Sequence, residues 1–236
     1  MEFAFKQFKV FQNDRVFKIG TDSIILGSWL NFGDASKILD IGCGTGVLSL
    51  MVAQKSNNAT IIGVDLQKEA TDLSLFNFSN SNFSKRLDVI NASLTQFAET
   101  TNLKFDFFIS NPPFFTSGAK SKQANMGIAR HNDALPIPVF WKCVNRLALE
   151  SAKVGIIYPF EEAQDCVLQA LEMGWYLNKR LNIYPKEEIK IGEIPKRVAL
   201  QFSKENLPFE LEELTILDNN GNYMDEYKNM TNAFYF

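Results

Sequence analysis

The chain has 236 residues, 46% of them hydrophobic, and a formal net charge of −3. This composition favours one domain over 1–236 and excludes a strongly basic protein, although nucleic-acid binding depends on local charge. Three widely spaced cysteines and a single histidine predict neither a disulfide framework nor a metal site. Because no apolar run could span a bilayer or serve as a signal peptide, we expect a cytoplasmic protein without membrane contact.

Residues 1–34 precede the regular part of the chain. Aromatic residues recur between Phe3 and Phe11, and this pattern suggests a short hairpin. Asp22 is placed to cap a helix over Ser23–Asn31, whose apolar side would carry isoleucine, leucine and tryptophan. We interpret this segment as an N-terminal extension of the core.

The middle of the chain alternates strand and helix patterns. Strands are predicted at Lys37–Ile41, Thr60–Asp65, Leu87–Ile90, Phe105–Ser110 and Lys153–Tyr158. Helices are predicted at Gly46–Ser56, Lys68–Asn80, Ile137–Leu149 and Glu161–Met173. This alternation implies right-handed crossovers and a mostly parallel sheet with helices on both faces.

The last third of the chain has a different pattern. Tyr176–Tyr184 and Arg197–Phe202 read as strands joined by a charged loop, Pro185–Lys196, which is typical of an antiparallel hairpin at a sheet edge. The prediction is therefore an α/β, Rossmann-like fold with seven strands and a core over 35–205. The tail, 206–236, mixes acidic and aromatic residues and supports no assignment.

A glycine-rich turn, Leu39–Gly46, joins the first strand of the core to its first helix. Three alternate glycines, Gly42, Gly44 and Gly46, allow a tight turn and close approach of the backbone to a ligand. The spacing differs from the GxGxxG of dinucleotide binders, and no lysine follows as in a phosphate-binding P-loop. The turn therefore predicts a different ligand, the alternative being a tight turn that binds nothing.

Acidic residues near this turn indicate the ligand. Asp40 would repel a pyrophosphate but could accept a hydrogen bond, directly or through water, from an ammonium group. Asp65 ends the next strand, where a carboxylate can take both ribose hydroxyls. A cationic amino-acid end with an unphosphorylated ribose describes S-adenosylmethionine, the cofactor that we predict. Ser93, after the third strand, could bond to the adenine ring through its hydroxyl or its backbone amide.

The run Asn111-Pro112-Pro113-Phe114 follows the fourth strand. An exocyclic amine on an aromatic ring is a poor nucleophile because its lone pair is delocalised into the ring. The Asn111 oxygen and the Pro112 carbonyl could accept its two N–H bonds and direct the lone pair at a methyl group. Pro112 and Pro113 would restrict the backbone, and Phe114 would stack on a flat target. The alternative is a turn that only ends a strand.

These residues resemble the class I methyltransferases that modify amino groups, and in particular the tRNA-valine adenine-37 N6-methyltransferase family, which acts beside the anticodon. The stretches that carry the resemblance are Phe5-Lys6-Gln7-Phe8, Lys18–Leu26, Leu39–Gly46, Asn111–Phe114 and Ala129-Arg130-His131. The resemblance implies methyl transfer from S-adenosylmethionine to an adenine of tRNA, with the anticodon stem-loop as the bound partner.

The resemblance also implies roles for individual residues. Lys18, Gly20 and Thr21 would close over the cofactor from the N-terminal segment. Asn111 would lie beside the cofactor and orient the target amine. The residues that would bind the cofactor are Asp40, Gly42, Gly44 and Asp65. Ser93 stands where such enzymes more often carry an acid.

Three other functions remain open. Methylation of a release-factor glutamine also uses Asn-Pro-Pro, although Phe114 and the lack of a separate N-terminal helical domain disfavour it. Methylation of guanine N2 in ribosomal RNA uses the same Asn-Pro-Pro-Phe motif. An inactive RNA-binding scaffold is disfavoured by the intact Asp40 and Asn111.

Basic residues follow the Asn-Pro-Pro-Phe motif and could either hold phosphates of a nucleic acid or simply be solvated: Lys120, Lys122 and Arg130.

Overall fold

The computed structural model describes residues 1–16, 18–112, 135–187 and 194–235. The chain begins with the expected hairpin, in which β1 (Glu2–Ala4) pairs antiparallel with β2 (Lys9–Phe11). Helix α1 follows at Thr21–Trp29 and begins earlier than predicted. The cap was predicted wrongly, because Gly20 occupies the N-cap and Asp22 lies inside the first turn. The Asp22 carboxylate instead accepts from Arg197 Nε at 3.1 Å.

A long mixed sheet follows, with helices between most of its strands. Its strands are β3 (Lys37–Ile41), β4 (Thr60–Asp65), β5 (Leu87–Asn91), β6 (Phe105–Ser110), β7 (Ala148–Pro159), β8 (Tyr176–Lys186), β9 (Arg197–Ser203) and β10 (Glu210–Leu217). The helices are α2 (Val47–Lys55), α3 (Lys68–Ser79), α4 (Leu94–Thr100), α5 (Ile137–Leu147), α6 (Phe160–Glu172) and α7 (Asp225–Thr231), with a 3-10 turn at Ser84–Arg86.

The strand order is β10-β8-β9-β7-β6-β3-β4-β5, and β9 runs antiparallel to its neighbours. The α/β prediction is confirmed, but the predicted number of seven strands is too low within the described residues. The tail supplies β10, which pairs parallel with β8 from Glu210↔Lys179 to Leu217↔Lys186. This pairing also extends β8 to Lys186, into the stretch that was predicted as a loop. The acid-rich sequence of β10 gives no local strand signal, because the strand with which it pairs lies far away in the chain.

The order of the strands reverses beside β3, which is the switch point of the sheet. The chain moves from β3 through β4 to β5 on one side and then returns to place β6 on the other side of β3. Ligands of open α/β sheets bind beyond the carboxyl ends of the strands where the order reverses in this way. The glycine-rich turn, Asp65 and Asn111 all lie at that edge, because they end or follow β3, β4 and β6.

The hydrophobic core has two parts, one on each face of the sheet. Neighbouring residues of β6 show the division, because Phe107 packs into one cluster and Phe108 into the other. The first cluster includes residues of the hairpin, α1, α2, α3 and α7. The second includes residues of α4, α5 and α6. The extension and the tail therefore pack on the same face of the sheet.

The two ends of the chain contact each other directly. Lys6 N donates to Phe234 O at 2.9 Å, and the rings of Phe5 and Tyr235 stack with centroids 6.0 Å apart. Phe234 is completely buried. The tail thus forms part of the core beneath the hairpin. Among the helices that the structure describes, none is long and apolar enough to cross a membrane.

Candidate active site

The glycine-rich turn follows β3 and has a left-handed backbone at three positions. The φ angles of Gly42, Gly44 and Gly46 are 71°, 55° and 79°. A Cβ on Gly46 would lie 2.4 Å from Phe78 Cε1, so this glycine is required for packing against α3. A Cβ on Gly42 or Gly44 would meet no atom of the described residues within 4 Å. The first two glycines therefore border open space that ligand atoms can enter.

Polar side chains of α3 hold this turn from behind. Ser74 Oγ donates to Gly44 O at 2.7 Å, and Asn77 Nδ2 donates to Thr45 O at 2.8 Å. Ser74 and Asn77 are both completely buried. The sequence reasoning missed this pair, although two small polar residues three positions apart on a helix signal a shared face. They fix carbonyls of the turn that its own backbone leaves unpaired.

Asp40 is completely buried beneath the turn. Its Oδ2 accepts from the backbone N and from Oγ of Ser49, at 3.0 and 2.7 Å. The pKa of Asp40 is raised to about 7, mainly by burial and to a lesser extent by the charge of Asp65, against the opposing effect of the Ser49 hydrogen bonds. Asp40 Oδ1 is buried and has no hydrogen-bond partner among the described residues. An unpaired carboxylate oxygen in such a site is suited to a cationic donor.

Asp65 ends β4 beside the turn and is held by two backbone amides. Its Oδ2 accepts from Gly44 N and its Oδ1 from Gln67 N, both at 2.9 Å. The side chain of Asn91, at the end of β5, donates to Asp65 O at 3.1 Å. Each carboxylate oxygen has two lone pairs, so one backbone amide on each oxygen does not by itself exclude a hydroxyl as a second donor.

Ser93 has a structural role that the sequence reasoning did not foresee. It is the N-cap of α4, a helix that was not predicted, and its Oγ accepts from Gln96 N at 3.1 Å. The hydroxyl hydrogen is still available for donation, so a bond to an adenine nitrogen is compatible with the cap.

Asn111 follows β6 and stands next to the turn. The parallel register pairs Ile41 with Ser110, and Ser110 Oγ donates to Ile41 O at 2.8 Å. Gly42 directly follows β3 and Asn111 directly follows β6, so they stand side by side beyond the ends of neighbouring strands. Asn111 Nδ2 donates to Ser23 Oγ at 2.8 Å, which leaves Oδ1 as an acceptor. Pro112 is buried, whereas the predicted Pro113 and Phe114 lie outside the described residues, as do Lys120, Lys122, Arg130 and His131.

The extension approaches the site through α1. Gly20 is the N-cap of this helix and Thr21 is its first residue. The Lys18 side chain is 61% exposed and pairs with Asp14 at 3.1 Å. The structure thus brings Ser23, two residues after the predicted Gly-Thr pair, into contact with Asn111. In the described ranges, no group of three His, Cys, Asp or Glu side chains is arranged to hold a metal ion.

Comparisons with known proteins show the family of this chain. A family model described as "Methyltransferase small domain" matches residues 4–135. A protein from Tolumonas auensis named tRNA1(Val) (adenine(37)-N6)-methyltransferase is 35% identical over 99% of this chain and 96% of its own length. A relative of the same name from Flavobacterium johnsoniae is 34% identical, with 99% and 98% covered.

Solved structures show the same fold at lower sequence identity. A predicted O-methyltransferase from Agrobacterium tumefaciens has a TM-score of 0.69 at 15% identity, covering 90% of this chain and 96% of its own. A TehB-like SAM-dependent methyltransferase from Corynebacterium glutamicum has a TM-score of 0.52 at 15% identity, covering 80% and 89%. Such identities show the fold alone, whereas the curated relatives align over nearly the full length. The chain therefore belongs to the methyltransferase small domain family and to the family of tRNA1(Val) (adenine(37)-N6)-methyltransferases.

Proposed function

We propose that this protein transfers a methyl group from S-adenosylmethionine to N6 of an adenine in tRNA, namely adenine 37 of tRNA1(Val). The relatives that share its length carry that name. The observation that carries the proposal is the placement of Asn111 beside Gly42 at the switch point of the sheet, with the unpaired Asp40 Oδ1 beneath. A target amine and a cationic cofactor would meet between them.

The residues around the turn suit this cofactor. Asp40 Oδ1 would accept from its ammonium group, directly or through water, and Asp65 would accept from both ribose hydroxyls. Gly42 and Gly44 would let its atoms approach the backbone, because no Cβ occupies that space. Ser93 would donate to the adenine ring. When bound, the cofactor supplies a methyl group on a positively charged sulfur, which keeps the bonding electrons as the methyl leaves.

The protein contributes orientation rather than a nucleophile. Asn111 Oδ1 and the Pro112 carbonyl would each hold one N–H of the target amine, so that its lone pair leaves the plane of the ring and faces the methyl group. The proton that the nitrogen loses after methylation passes to water. Fixing both reactants in this geometry removes much of the entropic part of the barrier.

The partner that follows from this proposal is tRNA, bound through its anticodon stem-loop, and the cytoplasm is the compartment in which they would meet. Enzymes that methylate a glutamine amide or guanine N2 use the same Asn-Pro-Pro motif, so these two targets are the alternatives. The names of the full-length relatives favour adenine.

One experiment separates these substrates. Purified protein is incubated with labelled S-adenosylmethionine and, in turn, a tRNA1(Val) transcript, the same transcript with guanine at position 37, ribosomal RNA and a release factor. We expect N6-methyladenosine in the first transcript alone, identified by nucleoside mass spectrometry. Methylation of the release factor or of ribosomal RNA in preference to tRNA would overturn the proposal.

The role of Asn111 is tested in the same assay. Asn111→Ala should lower kcat at least about 100-fold, since it removes an oriented acceptor, while the cofactor Kd changes little. Asp65→Ala should do the reverse and mainly raise the cofactor Kd. The opposite pattern, measured by calorimetry and steady-state kinetics, would exclude these two roles.

A further inference from the structure

Ser23 and Asn111 are 88 positions apart in the chain and touch at the candidate active site. Asn111 Nδ2 donates to Ser23 Oγ at 2.8 Å. Ser23 is the third residue of α1 and is 8% exposed. Among the described residues, this bond joins the side chains of the N-terminal extension to the residue that would hold the target amine.

Helix α1 is fixed at both ends, so that Ser23 offers an acceptor at a defined place. In its first turn, Asp22 Oδ2 accepts from Arg197 Nε at 3.1 Å. At its C-terminal end, the Lys55 ammonium donates to Ser28 O at 2.6 Å and to Leu30 O, on the C-cap, at 2.5 Å. The helix is thereby tied to β9 and to α2, both of which belong to the sheet and its covering layer.

The orientation of the Asn111 amide decides whether it can accept from an amine. The oxygen and nitrogen ends of an amide are nearly the same size, so packing alone does not distinguish them. With Nδ2 on Ser23 Oγ, Oδ1 faces the target and accepts from its N–H. In the reversed orientation, the NH2 of Asn111 would oppose the NH2 of the target, donor against donor. The Ser23 hydroxyl can accept or donate, so it anchors one end of the amide in place, and the N–H of the target amine then selects the orientation in which Oδ1 is the other end.

We propose that Ser23 is a positioning residue, which acts through Asn111 by anchoring one end of its amide so that the other end faces the target amine. The inference rests on the proposed function of Asn111. It adds a residue of the extension to the methyl-transfer site, although Ser23 itself touches neither substrate nor cofactor.

The test compares Ser23→Ala with a control in the same helix. Ser28 has a buried hydroxyl without a hydrogen-bond partner among the described residues, so Ser28→Ala removes a hydroxyl but no bond. We expect Ser23→Ala to lower kcat about tenfold to a hundredfold with little change in KM for tRNA or in the cofactor Kd. Ser28→Ala should keep the kcat of the wild-type protein.

A second pair of variants separates the hydroxyl from side-chain shape. Threonine and valine have the same shape, and only threonine keeps an oxygen acceptor. Ser23→Thr should therefore retain most of the kcat that Ser23→Val loses, even where the added methyl group lowers the melting temperature of both equally. Equal kcat values for these two variants would overturn the proposal.

A spectroscopic measurement is independent of turnover. In the protein without cofactor, the side-chain NH2 resonances of Asn111 are assigned by their loss in Asn111→Asp. Ser23→Ala should shift them, and Ser28→Ala should leave them in place; unshifted resonances in Ser23→Ala would refute the contact. A wild-type protein that methylates no tRNA adenine would instead refute the proposed function, while the NMR comparison would still decide whether Ser23 holds Asn111.

Discussion

The side chain of Asn77 exchanges two hydrogen bonds with the backbone of Phe11. Its Oδ1 accepts from Phe11 N at 2.8 Å, and its Nδ2 donates to Phe11 O at 3.1 Å and to Thr45 O at 2.8 Å. One buried amide in α3 thus joins β2 of the extension to the glycine-rich turn. The Asn77 side chain therefore holds both the N-terminal extension, which reaches Asn111, and the glycine-rich turn, which borders the cofactor space.

Replacing Asn77 by alanine should weaken both segments. The change leaves buried backbone groups of Phe11 and Thr45 without partners, so we expect a loss of about 2–4 kcal/mol in the free energy of unfolding in urea. The cofactor Kd should rise, because the Thr45 carbonyl loses its donor. Asn80→Ala is the control, since the exposed Asn80 bonds only to its own helix at Phe76 O. Equal stabilities for the two variants would contradict the role of Asn77.

Two glycines of the turn should respond differently to an added methyl group. Gly46→Ala combines left-handed strain with a 2.4 Å approach to Phe78, and we expect it to cost about 2–4 kcal/mol of stability. Gly42→Ala carries strain alone, about 1 kcal/mol, but puts its Cβ into the open space of the turn. It should therefore raise the cofactor Kd more than it lowers stability. Urea unfolding and calorimetry on both variants measure the contrast, and a fully stable Gly46→Ala protein would show the close approach to be wrong.

Cofactor binding should be linked to the proton on Asp40. In the protein without cofactor the pKa of this carboxyl is about 7, whereas an ammonium on Oδ1 favours the ionised form. We therefore expect the affinity for the cofactor to rise with pH between about 5.5 and 7. At the lower end of this pH range, binding should release a proton from Asp40. Calorimetry in two buffers of different ionisation enthalpy measures that proton.

The matched variant for this linkage is Asp40→Asn, which has no proton to release. It should bind the cofactor more weakly, with a Kd independent of pH over the same window. Proton release that persists in Asp40→Asn, or a flat pH profile in the wild-type protein, would argue against contact between Asp40 and the ammonium.

The same carboxyl should cost stability when the cofactor is absent. The pKa of Asp40 is raised from 3.8 to about 7 in the folded protein, so the folded state holds the proton more tightly than the unfolded chain. Its contribution to stability is complete below pH 3.8 and is lost as the pH rises through about 7. We expect Asp40→Asn to gain on the order of 2 kcal/mol relative to wild type between pH 5 and pH 8. Urea titrations of both proteins at the two pH values test this, and a constant difference would refute the shift.

The C-terminal tail should be essential for the stability of the extension. Phe234 is completely buried in the first core cluster, and its backbone oxygen accepts from Lys6 N. Phe234→Ala should cost about 3–5 kcal/mol because it leaves a cavity beneath the hairpin. Phe209 is the control, since it is 54% exposed and its replacement should change stability by less than about 0.5 kcal/mol. Thermal unfolding that is unchanged in Phe234→Ala would show that the tail is dispensable.

Local patterns in the chain were enough to predict seven of the eight strands that the structure describes in the main sheet, together with most of the helices that alternate with them. Strand propensity and left-handed turns are short-range properties. The β-branched strand that ends at Asp65 and the glycine turn after Asp40 could therefore be predicted from adjacent residues alone. The sequence therefore placed Asp40, Asp65 and Asn111 at or just beyond the ends of predicted strands, and the carboxyl ends of parallel strands meet at one edge of a sheet. The assignment of Asp22 as a cap failed because its partner, Arg197, lies on a distant strand.

The remaining features were decided by tertiary structure. Strand β10, the buried bonds of Asn77 and the contact of Ser23 with Asn111 all join segments that are far apart in the sequence. The residues involved are small and polar or acidic, and such side chains give the same local signal on a solvated surface as in a buried network. The sequence by itself thus determined the alternation of strands and helices and the chemistry at the ends of the strands. Long-range hydrogen bonding, which no local preference encodes, decided how the extension and the tail close around that chemistry.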